Sequence, residues 1–288
     1  MRTGFVVLTY NRSDALLAVL RALAPQCGAD DVVVVTDDGS RPEHVQALRR
    51  GLPRFACPVR HVWHPDVGFT AARARNLGAL HADAEYLVFL DGDCVPAAHF
   101  AAMHRRLAQR GCFVNGSRVL LDAATSRRVA AGEIDPLSLQ PADWLRLRAR
   151  GQVNKLAHLV RWPGAPGRLE RRFRWKGIRS ANFGVWMADY AAVNGFDQIY
   201  SGWGHEDADL VLRLHQLGLL RKNGWLATEV FHLWHAEHRR DREAANRARV
   251  HARMAAGIVR AEDGLAEAAA GPAPLVSELF PVSEHESR

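Results

Sequence analysis

No run among the 288 residues approaches the roughly 20 consecutive apolar positions that a membrane-spanning helix needs, so none is expected. Apolar character begins at Phe5 without a basic and then apolar leader ahead of it, so no secretory signal is expected either. Cysteines are few. Cys27, Cys57, Cys94 and Cys112 lack any paired metal-ligand spacing, and in a chain able to build its own core they read as reduced thiols. Residues 9 to 14 contain no glycine, which argues against the glycine-rich phosphate loop of a nucleotidyltransferase. Internal repeats, helix-turn-helix and zinc patterns are missing, and aromatics are not regularly interleaved with basic residues, so nucleic acid is not an expected partner.

Acidic residues are scarce in one stretch. Between Trp144 and Arg179 stand Arg146, Arg148, Arg150, Lys155, Arg161, Arg168, Arg171, Arg172, Arg174, Lys176 and Arg179, against Glu170 alone. The net charge of +7 is therefore local in origin. Such a surface suits a phosphorylated substrate or an acidic membrane face, or it is a solvated arginine-rich loop.

With 48% hydrophobic residues, the chain can bury a core as one large domain or two small ones. Phe5 to Leu8, Val32 to Val35, Val59 to Trp63 and Tyr86 to Leu90 are apolar runs that alternate with helical patterns. Strands that are apolar throughout and separated by helices predict a mostly parallel α/β sheet covered on both faces, with ligands outside the carboxyl ends of its strands. Polar clusters stand at those ends: Thr9 to Arg12, Asp37 to Ser40, and Asp91-Gly92-Asp93. Two carboxylates one glycine apart at a strand end can reach the same divalent cation. After the third strand, small residues with Arg73 and Arg75 open a helix able to approach a phosphate or a base edge.

Farther on, Gly202-Trp203-Gly204 leads into His205, Glu206, Asp207, Ala208 and Asp209, with Leu210, Val211, Leu214 and Leu217 at helical spacing. Backbone N–H groups at a helix start favour an ionised carboxylate, so Glu206 and Asp207 are expected to be charged beside the aromatic surface of Trp203.

In order, Thr9-Tyr10-Asn11-Arg12, Asp37-Asp38-Gly39-Ser40, Ala74-Arg75-Asn76-Leu77-Gly78 and Asp91-Gly92-Asp93 resemble the family 2 glycosyltransferases of the GT-A fold. Ser180-Ala181-Asn182-Phe183, Asn194-Gly195-Phe196-Asp197 and Gly202-Trp203-Gly204-His205-Glu206-Asp207 resemble the carboxyl-terminal part shared by β-1,4-galactosyltransferases and bacterial chondroitin polymerase. The resemblance implies a nucleotide-sugar-binding half over residues 1–115, an acceptor-binding and catalytic half over 116–236, and a charged helical tail over 237–288 whose end is expected to be disordered. It implies donor-binding roles for Thr9, Asn11, Arg12, Asp38 (facing the uracil edge), Arg75, Asp91, Gly92, Asn182 and Trp203. Glu206 would hold the acceptor, and Asp207 would deprotonate its hydroxyl. Asp93 would be the direct metal ligand of the Asp-x-Asp pair, with Asp91 beside it, and the segment Val230-Phe231-His232 resembles the one that supplies a histidine. His232 and His235 both remain candidates.

Mixed imidazole and carboxylate ligation suits Mn²⁺ better than Mg²⁺. The expected activity is single-displacement, inverting transfer from a UDP-sugar to a glycan or lipid-linked acceptor. A pure sugar-nucleotide binder on the same fold would need no base, so the presence of Asp207 favours an enzyme. A cytoplasmic setting is expected, with peripheral contact between the basic 144–179 segment and a lipid-linked diphosphate or the anionic inner membrane face.

Overall fold

A computed structural model describes residues 1–200, 202, 204–236 and 242–280. Its strands are β1 (Thr3–Thr9), β2 (Val32–Asp37), β3 (Val59–Trp63), β4 (Tyr86–Asp91), β5 (Cys94–Pro96), β6 (Cys112–Asn115), β7 (Ser117–Leu120), β8 (Leu169–Glu170), β9 (Asn182–Trp186), β10 (Leu220–Asn223), β11 (Glu229–His232) and β12 (Leu275–Phe280). Its helices are α1 (Ser13–Leu23), α2 (Pro42–Gly51), α3 (Ala71–Leu80), α4 (Phe100–Leu107), α5 (Ala123–Ala130), α6 (Pro141–Ala149), α7 (Met187–Ala192), α8 (Glu206–Gln216), α9 (Glu243–Ala256) and α10 (Leu265–Ala270).

Nine strands form one sheet in the order β12-β3-β2-β1-β4-β9-β6-β10-β8. The apolar runs do as their composition dictates: β1 to β4 pair in parallel, and successive residues of β1 feed opposite cores, Phe5 and Val7 on one face and Val6 on the other. Antiparallel β9 then joins β4 to β6, which continues in parallel to β10. A smaller sheet, β5-β11-β7, stands beside it.

Register brings the polar strand ends to one edge. Thr9 lies opposite Asp37 and Leu8 opposite Asp91, and the N–H groups of Asp38 and Gly92 cross to the carbonyls of Thr9 and Leu8. Helix α3 lies close on the sheet because Gly78 has no side chain: a Cβ there would meet Val6 Cγ1 at 2.5 Å. That approach sets Arg75, one turn earlier, against the end of β4. In the small sheet, His232 of β11 pairs opposite Cys94 of β5, one residue past Asp93.

Helix α6 begins at Pro141, which fixes φ for a first turn. One expectation needs correction: the tail is not helical throughout, because β12 pairs antiparallel with β3 and covers what would otherwise be an open edge of unpaired backbone groups. Residues 281–288 lie outside the described residues. Among those described, no helix is long and apolar enough to cross a membrane, and all four cysteines are buried and free.

Candidate active site

The carboxyl edge of the sheet opens into a cleft of about 1020 Å³. Thr9, Asn11, Arg12, Asp38, Arg75, Asp91, Gly92, Asp93, Glu206, Asp207 and His235 all line it, although the last of them follows the first by more than 200 residues. The loop after β1 is fixed by Asn11, which takes a left-handed backbone (φ 49°) that asparagine tolerates. Its N–H donates to Ser40 Oγ at 2.8 Å, and its Oδ1 accepts the Arg41 N–H at 2.9 Å, so it ties two strand-end loops together. Asp38 lies at the base of the cleft, 4% exposed. It accepts the Thr70 N–H at 3.0 Å and the Thr70 hydroxyl, with His64 Nε2 3.2 Å away. A carboxylate oxygen has two acceptor sites, so Asp38 retains capacity for a donor from the cleft side.

At one side of the cleft, imidazoles face opposite oxygens of one carboxylate: His232 Nε2 is 3.9 Å from Asp93 Oδ1 and His235 Nε2 is 3.4 Å from Asp93 Oδ2. Burial, and then the charge of Arg118, pushes His232 down to about 4, so its ring is neutral near pH 7 and offers a lone pair. Burial, and then Asp91, raises the Asp93 carboxyl, against the pull of His235 and Arg12. Cys94 Sγ belongs to the same cluster as Asp93 and His232. Burial, and then Asp93, holds that thiol well above its usual range. Carboxylate and neutral imidazole donors fit a divalent cation of the Mn²⁺ type. Asp91 faces elsewhere: its Oδ1 accepts from Arg75 Nη2 at 2.9 Å.

Helix α8 supplies the other side. Gly202, Gly204 and His205 all have positive φ, a tight turn that aims the first residues of the helix at the cleft. Helix-start N–H groups do not dominate here as the sequence suggested. Burial, and then the charge of Asp207, lifts Glu206 to about 7. Burial also raises Asp207, against the 2.7 Å bond from the Ala208 N–H and the charge of Arg75. The dipole of a helix terminus is worth about 1 kcal/mol, less than removing a carboxylate from water, so desolvation wins. Once deprotonated, such an acid is the stronger base. Arg75, 4% exposed, joins the two sides: Nη2 binds Asp91 and Nη1 is 3.6 Å from Glu206 Oε1. Its guanidinium lies 5.2 Å from the centre of the Phe196 ring.

Asn182 does not reach the cleft. It is fully buried; its Oδ1 is 2.9 Å from His104 Nε2, and its Nδ2 donates to the carbonyls of Ser117, at 3.0 Å, and Thr228. Its amide stitches β9 to β7 and to the start of β11, a structural role in place of the expected donor contact. Trp203 lies outside the described residues. The cleft also includes Arg118, Trp175, Arg179, Glu243 and Arg247, which the sequence did not single out as site residues. Arg179 stands directly before the Ser180-Ala181-Asn182 motif, and that adjacency was a usable signal. Glu243 and Arg247 come from the tail, where only Asn246, Val250 and Arg253 of α9 are buried, too thin an apolar stripe to reveal a docked helix.

The model of the family described as "Glycosyl transferase family 2" matches residues 5–160, and that described as "N-terminal domain of galactosyltransferase" matches residues 167–235. Validoxylamine A glucosyltransferase of Streptomyces hygroscopicus subsp. jinggangensis is 29% identical over 228 residues, covering 74% of this chain and 51% of that protein. Chondroitin synthase of Escherichia coli is 33% identical over 94 residues, 32% of this chain and 13% of that protein. The chain thus spans about half the length of the first of these relatives. Among solved structures, Staphylococcus aureus TarS 1-349 superposes with TM-score 0.52 at 14% identity, over 93% of this chain and 68% of that one. GalNAc-T7 with UDP, GalNAc and Mn²⁺ does so with TM-score 0.51 at 16% identity, over 82% and 44%. At such identities the likeness concerns the fold, which is the expected GT-A architecture, α/β with a mostly parallel sheet flanked by helices.

Proposed function

Because the chain belongs to glycosyl transferase family 2, we propose that it transfers a sugar, with inversion, from a UDP-sugar to a hydroxyl of a glycan or lipid-linked acceptor. The observation that carries this reading is the common cleft: Asp207 in the first turn of α8 and Asp93, two residues past the end of β4, line one cavity, and Arg75 joins their neighbours Glu206 and Asp91. The described neighbour with UDP, GalNAc and Mn²⁺ supports a nucleotide-sugar donor and a metal of that kind.

Asp93 and His232, with His235, would hold Mn²⁺, or more weakly Mg²⁺. A cation there stabilises the negative charge that grows on a departing diphosphate. Asp38, with Thr9 and Tyr10 beside it, would receive the base of the nucleotide. Asp207 would accept the proton of the attacking hydroxyl, for which a carboxylate at hydrogen-bond reach is the usual requirement. Glu206, tied to Arg75, would orient the acceptor.

A screen of UDP-sugars with Mn²⁺ by thermal shift identifies the donor, since a ligand bound only by the folded chain raises its melting point. Asp207→Asn should keep that shift and lose transfer by about 10²- to 10⁴-fold, the usual contribution of a positioned base. Asp93→Ala should lose both. Normal transfer by the Asp207→Asn variant would remove this residue from the role of base.

A further inference from the structure

Four large apolar side chains stay at the surface within two short segments: Leu159 (39% exposed), Val160 (52%), Trp162 (52%) and Trp225 (36%). Their proximity is built in. Arg168, although counted in the basic stretch, is 5% exposed and serves as an internal clamp. Its Nη1 donates to the carbonyls of Asn223 and Trp225, both at 2.6 Å, its Nε to that of Pro163 at 2.8 Å, and its Nη2 to that of Trp162. The Trp162 N–H in turn donates to the Leu226 carbonyl at 2.7 Å. One guanidinium therefore pins two distant segments together at the backbones of Trp162 and Trp225, both of whose indoles are exposed.

The exposed charge on this side of the sheet is basic. Arg161 is exposed between Val160 and Trp162, and Arg171, Arg172 and Arg174 are exposed beyond β8, whose antiparallel pairing carries them toward the start of β10, so they extend a basic rim along the sheet edge away from the two indoles. Glu170, the lone acid of the stretch, is turned to Arg221, 3.4 Å away, and does little to offset them. The patch also has a defined place. Strand β10, which Trp225 follows, is parallel to β6, and β6 and β4 are both antiparallel to β9, so β10 ends at the same edge as β4. With the order β4-β9-β6-β10, that end lies about 14 Å from Asp91 at the usual strand spacing, beside the cleft.

We propose that this patch docks the chain onto the headgroup region of an anionic bilayer, with Trp162 and Trp225 seated at the interface. Indoles prefer that depth, and arginines gain from the negative surface potential. A second copy of the chain is a worse occupant, because a symmetric contact would bring the same arginines face to face. Docking here would present the cleft edge to acceptors held in the membrane, whereas vesicle binding itself needs neither donor nor metal.

The test is sedimentation of the intact chain with phosphatidylcholine vesicles, with and without phosphatidylglycerol. The wild type should sediment only with the anionic vesicles, less so as salt is raised, and its tryptophan emission should shift to the blue. Trp162→Ser with Trp225→Ser should weaken binding about tenfold or more at an unchanged melting point. Arg161→Ala, Arg171→Ala and Arg172→Ala should each cost about fivefold, the worth of one basic residue near such a surface. If the double serine variant unfolds, the arginine series decides alone. Failure of the wild type to bind anionic vesicles, or variants that bind equally well, overturns the proposal. So does a dimer that the tryptophan substitutions dissolve without any vesicle binding. None of these results bears on the transferase reading, which the donor screen tests separately.

Discussion

Replacing Glu206 by glutamine should make the fold more stable at high pH and leave it nearly unchanged at low pH. Glu206 is 9% exposed at the first position of α8, and burial, with Asp207 next to it, lifts its carboxyl from an ordinary 4.5 to about 7. A carboxyl with a higher pKa folded than unfolded binds its proton more tightly in the native state. Its contribution to stability is therefore complete below pH 4.5 and is lost as the pH rises through 7. At about 1.4 kcal/mol per pH unit, roughly 3 kcal/mol lies within that window. Glutamine keeps the length of the side chain and an oxygen for Arg75, yet does not titrate.

Urea unfolding of both proteins between about pH 5 and pH 8.5 should show the wild type losing about 2–3 kcal/mol relative to the variant. Glu229, which burial also lifts to about 7, titrates in both proteins and drops out of the difference. A difference that is flat with pH refutes the dominance of desolvation. A difference of the opposite sign, with the variant weaker at pH 8, would mean that Arg75 and the helix start hold Glu206 ionised, as the sequence alone suggested.

Two further substitutions separate structure from site. Asn182→Ala should lower stability by about 2–4 kcal/mol, since it strands His104 and two buried carbonyls; in protein that still folds, the KM for the donor should stay near that of the wild type, and a large rise in KM at unchanged stability would restore Asn182 to the donor site. Arg253→Met removes the cation that binds Asp197 at 2.6 Å and Asp209 at 2.8 Å; Asp209 keeps Arg213 at 2.8 Å, but leaving the buried Asp197 without its cation should cost about 3–5 kcal/mol, and limited proteolysis should then cut within α9 first, whereas an intact α9 in the variant would refute the idea that this network fastens the tail.

The first four strands and their polar ends were legible in the sequence because buried parallel strands read as unbroken apolar runs, and turn chemistry follows each of them. Both acidic pairs were legible for the same reason, standing where an apolar run stops or starts. Charge states were not legible. The helix start at Glu206 is visible in a sequence, but the burial that outweighs it exists only in the folded chain, as do the opposing charge of Arg75 and the added charge of Asp91, both remote in the sequence. Asn182 was misassigned because a motif fixes a position in the fold and not the direction of a side chain. The strand β12 was missed because its partner, the open edge of β3, exists only once the sheet has formed. The basic stretch looked uniform, yet burial divides it into a clamp at Arg168, a cleft residue at Arg179 and an exposed rim.

Arg75 explains why each acidic pair has two members. A guanidinium does not give up its proton in a protein, so the groups it binds are held in place without exchanging one with it. It takes one carboxylate from each pair, Asp91 at the end of β4 and Glu206 at the start of α8. Asp93 is left facing the imidazoles of His232 and His235, and Asp207 is left lining the cleft beside them. The tied members fix the distance between a strand end and a helix start that are more than a hundred residues apart. The members that Arg75 does not hold, Asp93 with Arg12 Nη1 3.6 Å away and Asp207, are the ones that would meet a cation and a proton in the proposed reaction. Spacing in the sequence could nominate all four acids, but only the position of one buried arginine assigns them to two different tasks.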